Sequence, residues 1–354
     1  MSTQSQKVLR PGPPFKRLLA FTALFLLLSG AGIGVIYTQF ADRSISFDWR
    51  LLSWQLLVPA LALLAVYYAS DGLRLYFTLK ALGHRLGLRQ VFSLVFINIF
   101  FSNITPMATG GGFAQIWYLQ RHGIPLGTAT AATTIRTMLA VVFIFCASPV
   151  FLLMLDALEG KAISGQIGVY LAIFALIYVG FFILLVFHTR RLLPPISGAI
   201  GLLKRLHLIS RRRQSRWEFK SKREMLRFAR SFAVYCRGPK RYLLFSVLFT
   251  CIFLLSLLSF PALLMQALGY DVHYLTSLGL LVVTTFVMYF SPTPGASGIA
   301  EGIFGHFFSG ILTANHLVLV TIAWRFLTIY IGMLIGVVVT QLELSRSRST
   351  GART

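Results

Sequence analysis

Apolar runs long enough to cross a membrane recur along this chain, at 18–37, 51–80, 126–155, 167–187, 242–268 and 315–341. A hydrocarbon core of about 30 Å takes roughly 20 apolar helical residues, and in lipid each backbone polar group must find its partner within its own segment. The runs therefore predict an all-α polytopic membrane protein. With 56% hydrophobic and only 12% charged residues over 354 positions, a soluble globular domain is excluded. Cys146, Cys236 and Cys251 suggest neither a disulfide framework nor a metal cluster.

The net charge of +23 is concentrated. Residues 190–241 hold 16 Lys or Arg against Glu218 and Glu224, which is +14 of the total. Lys7, Arg10, Lys16 and Arg17 add charge before the first run, and Arg346, Arg348 and Arg353 add it after the last. The positive-inside rule places these three segments in the cytoplasm. The intervening connections are acidic or balanced, around Asp48 and Arg50, around Asp156, and at Asp271. The first run reads as a span rather than a cleaved signal peptide, because its 20 residues exceed an h-region and no small-residue cleavage site follows. The expected organisation is a basic tail at 1–17, one transmembrane domain at 18–342 and a cytoplasmic tail at 343–354. The domain contains a first repeat at about 51–156, a basic cytoplasmic loop at 189–241 and a second repeat at about 241–342.

Two further apolar runs, 91–104 and 275–290, are too short to span and end in Pro and Gly. Irregular backbone at membrane depth must be covered by protein or line a wet cavity, so both are read as re-entrant helical hairpins. That gives about six full spans plus two hairpins, or eight to ten membrane segments by hydropathy. The hairpin breaks match: Thr105-Pro106-Met107-Ala108-Thr109-Gly110 and Thr293-Pro294-Gly295-Ala296-Ser297-Gly298 both read Thr-Pro-x-Ala-(Thr/Ser)-Gly. An amide or acid follows, Gln115 and Glu301, and then an intramembrane arginine, Arg136 at 30 residues past Pro106 and Arg325 at 31 past Pro294. Three full spans separate the copies, which predicts an inverted repeat of the kind in which broken helices meet near the midplane. Each arginine lies ten residues into its run, roughly 15 Å deep.

The Asn103, Thr105-Pro106 and Gly110-Gly111-Gly112 pattern resembles the lysylphosphatidylglycerol synthase transmembrane family. So does the stretch from Pro292 to Glu301 with a later Trp324-Arg325 span. These flippase-like domains also form the membrane half of the multiple peptide resistance factor. The resemblance runs from about Leu51 to Gln341 and implies the movement or handling of lipids. Because the chain ends 13 residues after Gln341, the aminoacyl-transferring half and lysyl transfer are not expected.

The residues carry competing readings. Thr105, Gly110, Gly111, Gly112, Thr293, Gly295, Ser297 and Gly298 either offer helix-end amides to a phosphate or let helices pack closely. Arg136 and Arg325 either bind a lipid phosphate or pair with Glu301, for which the alternatives are to meet a cationic headgroup, to carry a proton or to be neutral. Asp71 and Arg74, three apart, read as a local ion pair. Met225, Phe228 and Phe232 among the loop's basic residues suggest an interfacial helix on anionic lipid, a partner surface, or topology alone. The histidines show no metal-ligand spacing.

Together these features point to a lipid translocase for a phosphate-bearing lipid, non-enzymatic and without cofactor or metal. It is placed in a bacterial cytoplasmic membrane with both termini in the cytosol. Its partners are anionic or aminoacylated phospholipids or another lipid phosphate, with no nucleic acid, and a homo-oligomer is left open. Two alternatives stand: a rhomboid-like serine protease through Ser297 in Gly295-Ala296-Ser297-Gly298, and an anion channel or exchanger. The protease reading needs a histidine base, and Thr109 in the first copy favours a shared backbone role over a nucleophile.

Overall fold

The computed structural model describes residues 46–154 and 230–351, with isolated positions elsewhere; the predicted spans at 18–37 and 167–187 and most of the basic loop lie outside the described residues. A 3₁₀ turn at Trp49–Leu52 leads into α1 (Trp54–Ala81). Then come α2 (Leu88–Ile104), α3 (Thr109–Arg121) and α4 (Leu126–Met154). A short helix at 230–237 precedes α5 (Lys240–Ala267), α6 (Tyr274–Met288), α7 (Ile299–Phe308) and α8 (Ala314–Arg325). A π-turn at Phe326–Tyr330 joins α8 to α9 (Ile331–Gly351). Among the described residues, four helical stretches are long and apolar enough to span: Trp54–Ala81, Leu126–Leu152, Lys240–Ala267 and Ala314–Glu343. Leu88–Ile104 and Tyr274–Met288 are shorter apolar helices.

The same order, long, short, short, long, thus occurs twice. The breaks follow from local chemistry. α2 stops because Thr105 precedes Pro106 and is held extended (φ −118°, ψ 143°), the conformation a following proline favours. The two residues after each motif proline are left-handed: Met107 and Ala108 at φ 53°, Gly295 at 57° and Ala296 at 55°. Thr109 Oγ1 donates to the Pro106 carbonyl at 3.0 Å, and Ser297 Oγ to that of Pro294 at 2.9 Å. The two tips thus share one turn, built twice. They also touch, through an isolated antiparallel bridge between Pro106 and Pro294.

Packing crosses between the halves in matching fashion. α2 lies against α9, and α6 lies against α4, so each short helix rests on the last long stretch of the other half. Where α9 crosses α2 the backbones come very close: a Cβ on Gly336 would stand 2.4 Å from the Phe96 carbonyl oxygen. Several threonine hydroxyls inside the helices are satisfied locally, Thr78, Thr284, Thr321 and Thr340 each donating to the carbonyl four residues back.

One end of the bundle gathers the start of α1, the end of α5 and the start of α8. Arg50 Nη1 donates to the Leu268 carbonyl at 2.7 Å, and the His316 ring bridges Tyr270 Oη (2.7 Å) and Asp48 (3.2 Å). The other end gathers Leu79 and Leu82 of the α1 end, Leu119 at the end of α3, and Phe232 and Tyr235 ahead of α5 in one apolar cluster. Each short-helix pair therefore returns the chain to the end it left.

Candidate functional site

Among the described residues the buried charges come in two groups, one in each half. In the first, Asp71 on α1 accepts from Arg74 Nε (2.7 Å) and is forked by Arg136 of α4, whose Nη2 lies 2.5 Å from Oδ1 and 2.6 Å from Oδ2. The expected Asp71–Arg74 pair is present, and Arg136 joins it. In the second, Arg325 Nε lies 2.8 Å from Glu301 Oε1, and both side chains are fully buried. Arg325 Nη2 also donates to the Gly295 carbonyl at 2.9 Å, tying α8 to the second tip. Glu301 therefore pairs with Arg325 alone of the two arginines, while Arg136 takes a carboxylate 65 residues away that the motif comparison does not reach.

Two of the helix-end amides already have acceptors. The Gly298 amide donates to Glu301 Oε2 at 2.7 Å, and the Gly110 amide to Thr105 Oγ1 at 2.8 Å, with Thr105 in turn donating to the Phe101 carbonyl. Thr293 Oγ1 donates to the Ser297 carbonyl at 2.8 Å. The glycines do different work in the two tips. A Cβ on Gly111 would stand 1.8 Å from Ser102 Oγ, and one on Gly110 would stand 2.8 Å from the Phe101 carbonyl, so these two let α3 close on α2. Gly112 has only ordinary contact, with Thr133 at 3.9 Å. Gly298 faces open space, and its φ of +84° is what selects glycine.

Between the two charge groups lies a cavity of about 220 Å³. Arg74 and Arg136 reach it from the first half and Arg325 from the second, with Asp71, Phe253 and Trp324 also on its wall. Of the residues the sequence singled out as a site, Arg136 and Arg325 line this cavity; Thr105, Gly110, Gly111, Gly112, Thr293, Gly295, Ser297, Gly298 and Glu301 build the two tips around it. Asp71, Arg74, Phe253 and Trp324 were not marked as site residues. The charges within the 51–80 run were the available signal for the first two, since an ionisable residue inside a span is costly unless paired or wetted.

Three arginines against Asp71 and Glu301 leave the group one positive charge in excess. Donors are in excess too. Arg74 Nη1, Arg136 Nε, Arg325 Nη1 and Trp324 Nε1 are buried with no hydrogen-bond acceptor among the described residues. An unmatched buried donor costs about 1–3 kcal/mol, more when charged, which an anion in the cavity would offset.

A family model for the lysylphosphatidylglycerol synthase TM region matches residues 17–336. The chain belongs to that family. A UPF0104 membrane protein of Archaeoglobus fulgidus is similar to it, 23% identical over 327 residues that cover 91% of this chain and 97% of the relative. In this member of the lysylphosphatidylglycerol synthase TM region family the match begins ahead of the first long run and ends inside α9, so both tips and all three cavity arginines fall within it.

Proposed function

We propose that this protein moves a lipid bearing a phosphate headgroup between the leaflets of the cytoplasmic membrane, as a translocase and not an enzyme. In this reading the two hairpins enter the bilayer from opposite faces as an inverted repeat, both termini lie in the cytosol, and the tips meet near the midplane. The observation that carries the proposal is a cavity lined by arginines of both halves, each with a buried N–H lacking an acceptor among the described residues. Guanidinium suits such a task because it stays charged and presents a planar fork to phosphate. Hydrolysis is disfavoured because the Ser297 hydroxyl donates to the carbonyl of its own turn, as Thr109 does in the first tip.

The test is leaflet exchange of labelled phospholipid in vesicles holding the full chain. Arg136→Lys keeps a charge opposite Asp71 but loses the fork, so exchange should fall roughly tenfold or more while thermal unfolding stays near wild type. Unchanged exchange in that variant would make Arg136 a structural partner of Asp71 and defeat the proposal. An anion exchanger is the second reading, because the same donors suit a bare anion; chloride or phosphate flux without lipid exchange would establish it.

A further inference from the structure

Resting on the translocase reading, we infer that the cavity selects a headgroup of net negative charge, a phosphate ester with no accompanying ammonium, and refuses zwitterionic and aminoacylated lipids. A headgroup carrying both phosphate and ammonium needs donors for the first and an acceptor carboxylate or open aromatic face for the second. Among the described residues, the charged groups on the wall leave only donors without a partner.

Both carboxylate oxygens of Asp71 are taken, Oδ1 by Arg74 and Arg136 and Oδ2 by Arg136. Glu301 lies off the wall, fully buried, with one oxygen on Arg325 and the other on the Gly298 amide. The Phe253 and Trp324 rings of the wall are already engaged on at least one face. Arg74 Cζ sits 3.7 Å above the Phe253 ring, and Tyr67 stacks on the same ring at 5.1 Å between centroids. Trp324 is stacked against Phe304 at 4.8 Å. An incoming ammonium would therefore meet three guanidinium groups and, among the described residues, no free counter-charge, whereas a phosphate meets a wall with positive charge in excess whose Arg74, Arg136, Arg325 and Trp324 each keep an N–H without an acceptor.

Selection is measured as binding to the full chain in detergent, using short-chain phosphatidic acid, phosphatidylglycerol, phosphatidylethanolamine and lysylphosphatidylglycerol with identical acyl groups, alongside inorganic phosphate. The two net-negative lipids should bind at least tenfold more tightly than the other two, with a preference that weakens as salt rises and is lost in Arg325→Gln. Thr285→Glu, which sets a carboxylate on the cavity wall, should bring phosphatidylethanolamine up relative to phosphatidylglycerol. Equal or tighter binding of lysylphosphatidylglycerol overturns the inference. So does inorganic phosphate that binds as well as the lipids and is displaced by none of them, because the site would then serve a free anion. If the binding order holds but no lipid exchanges between leaflets in vesicles, the headgroup selection stands and the translocase reading falls.

Discussion

Two aspartates show how differently one residue type behaves in this protein. Asp71 is buried between Arg74 and Arg136, so removing this one carboxylate leaves two buried guanidinium groups without their counter-charge, at a cost of about 3–5 kcal/mol. Asp48 sits outside the spans beside Arg50 and His316, and hydrogen bonds from Arg50, side chain first and backbone second, hold its carboxyl well below the usual carboxylate range. A depressed folded-state pKa means that the stabilisation is fully present above the unfolded value of about 3.9 and is lost as pH falls through the folded one. Asp48→Asn should therefore lower the thermal midpoint by a constant amount between about pH 5 and about pH 7, and the gap to wild type should close in more acidic buffer. A gap that widened on acidification would show that Asp48 does not act as a carboxylate in this clasp.

At the scale of elements, close approach is carried by particular glycines. Gly336 of α9 and Gly302 of α7 are both helical, yet a Cβ on the first would run into the Phe96 carbonyl while one on the second meets nothing within 4 Å. Gly336→Ala should destabilise the α2–α9 contact, and Gly302→Ala should be neutral or stabilising by up to about 1 kcal/mol through helix propensity. Unfolding of the two variants side by side in detergent checks this, and equal behaviour would mean that the α2–α9 crossing tolerates a wider spacing. The apolar run at 315–341 lies within one spanning helical stretch, as expected, and the π-turn at Phe326–Tyr330 widens it where Trp324, Arg325, Thr328 and Ile329 line the cavity. Such widened turns recur at functional sites, where they re-aim side chains without ending the helix.

For the whole molecule, the expected topology rests on charge, and the bundle's two ends give it a concrete form. Residues near Asp48, Leu268 and His316 share one end, and those near Leu82, Leu119 and Tyr235 share the other. Single cysteines introduced at the first set should be labelled by an impermeant maleimide from outside intact cells, and those at the second only after permeabilisation. Labelling of the two sets from one side would end the inverted-repeat proposal, since each hairpin must then open to the same face.

The sequence by itself determined the class of protein, the four described long helices, the two paired breaks and the presence of arginines at matching positions. These rest on local sums of hydropathy, on proline and glycine backbone preferences, and on a motif repeated within one chain. Only the tertiary structure decided that Arg136 answers to Asp71 and Arg325 to Glu301. It also decided that Pro106 meets Pro294, that the tip amides of Gly110 and Gly298 are already occupied, and that Arg74 and Trp324 share the arginine cavity. Each of these depends on which side chains end up within about 3 Å of one another, at separations along the chain that periodicity and hydropathy do not encode.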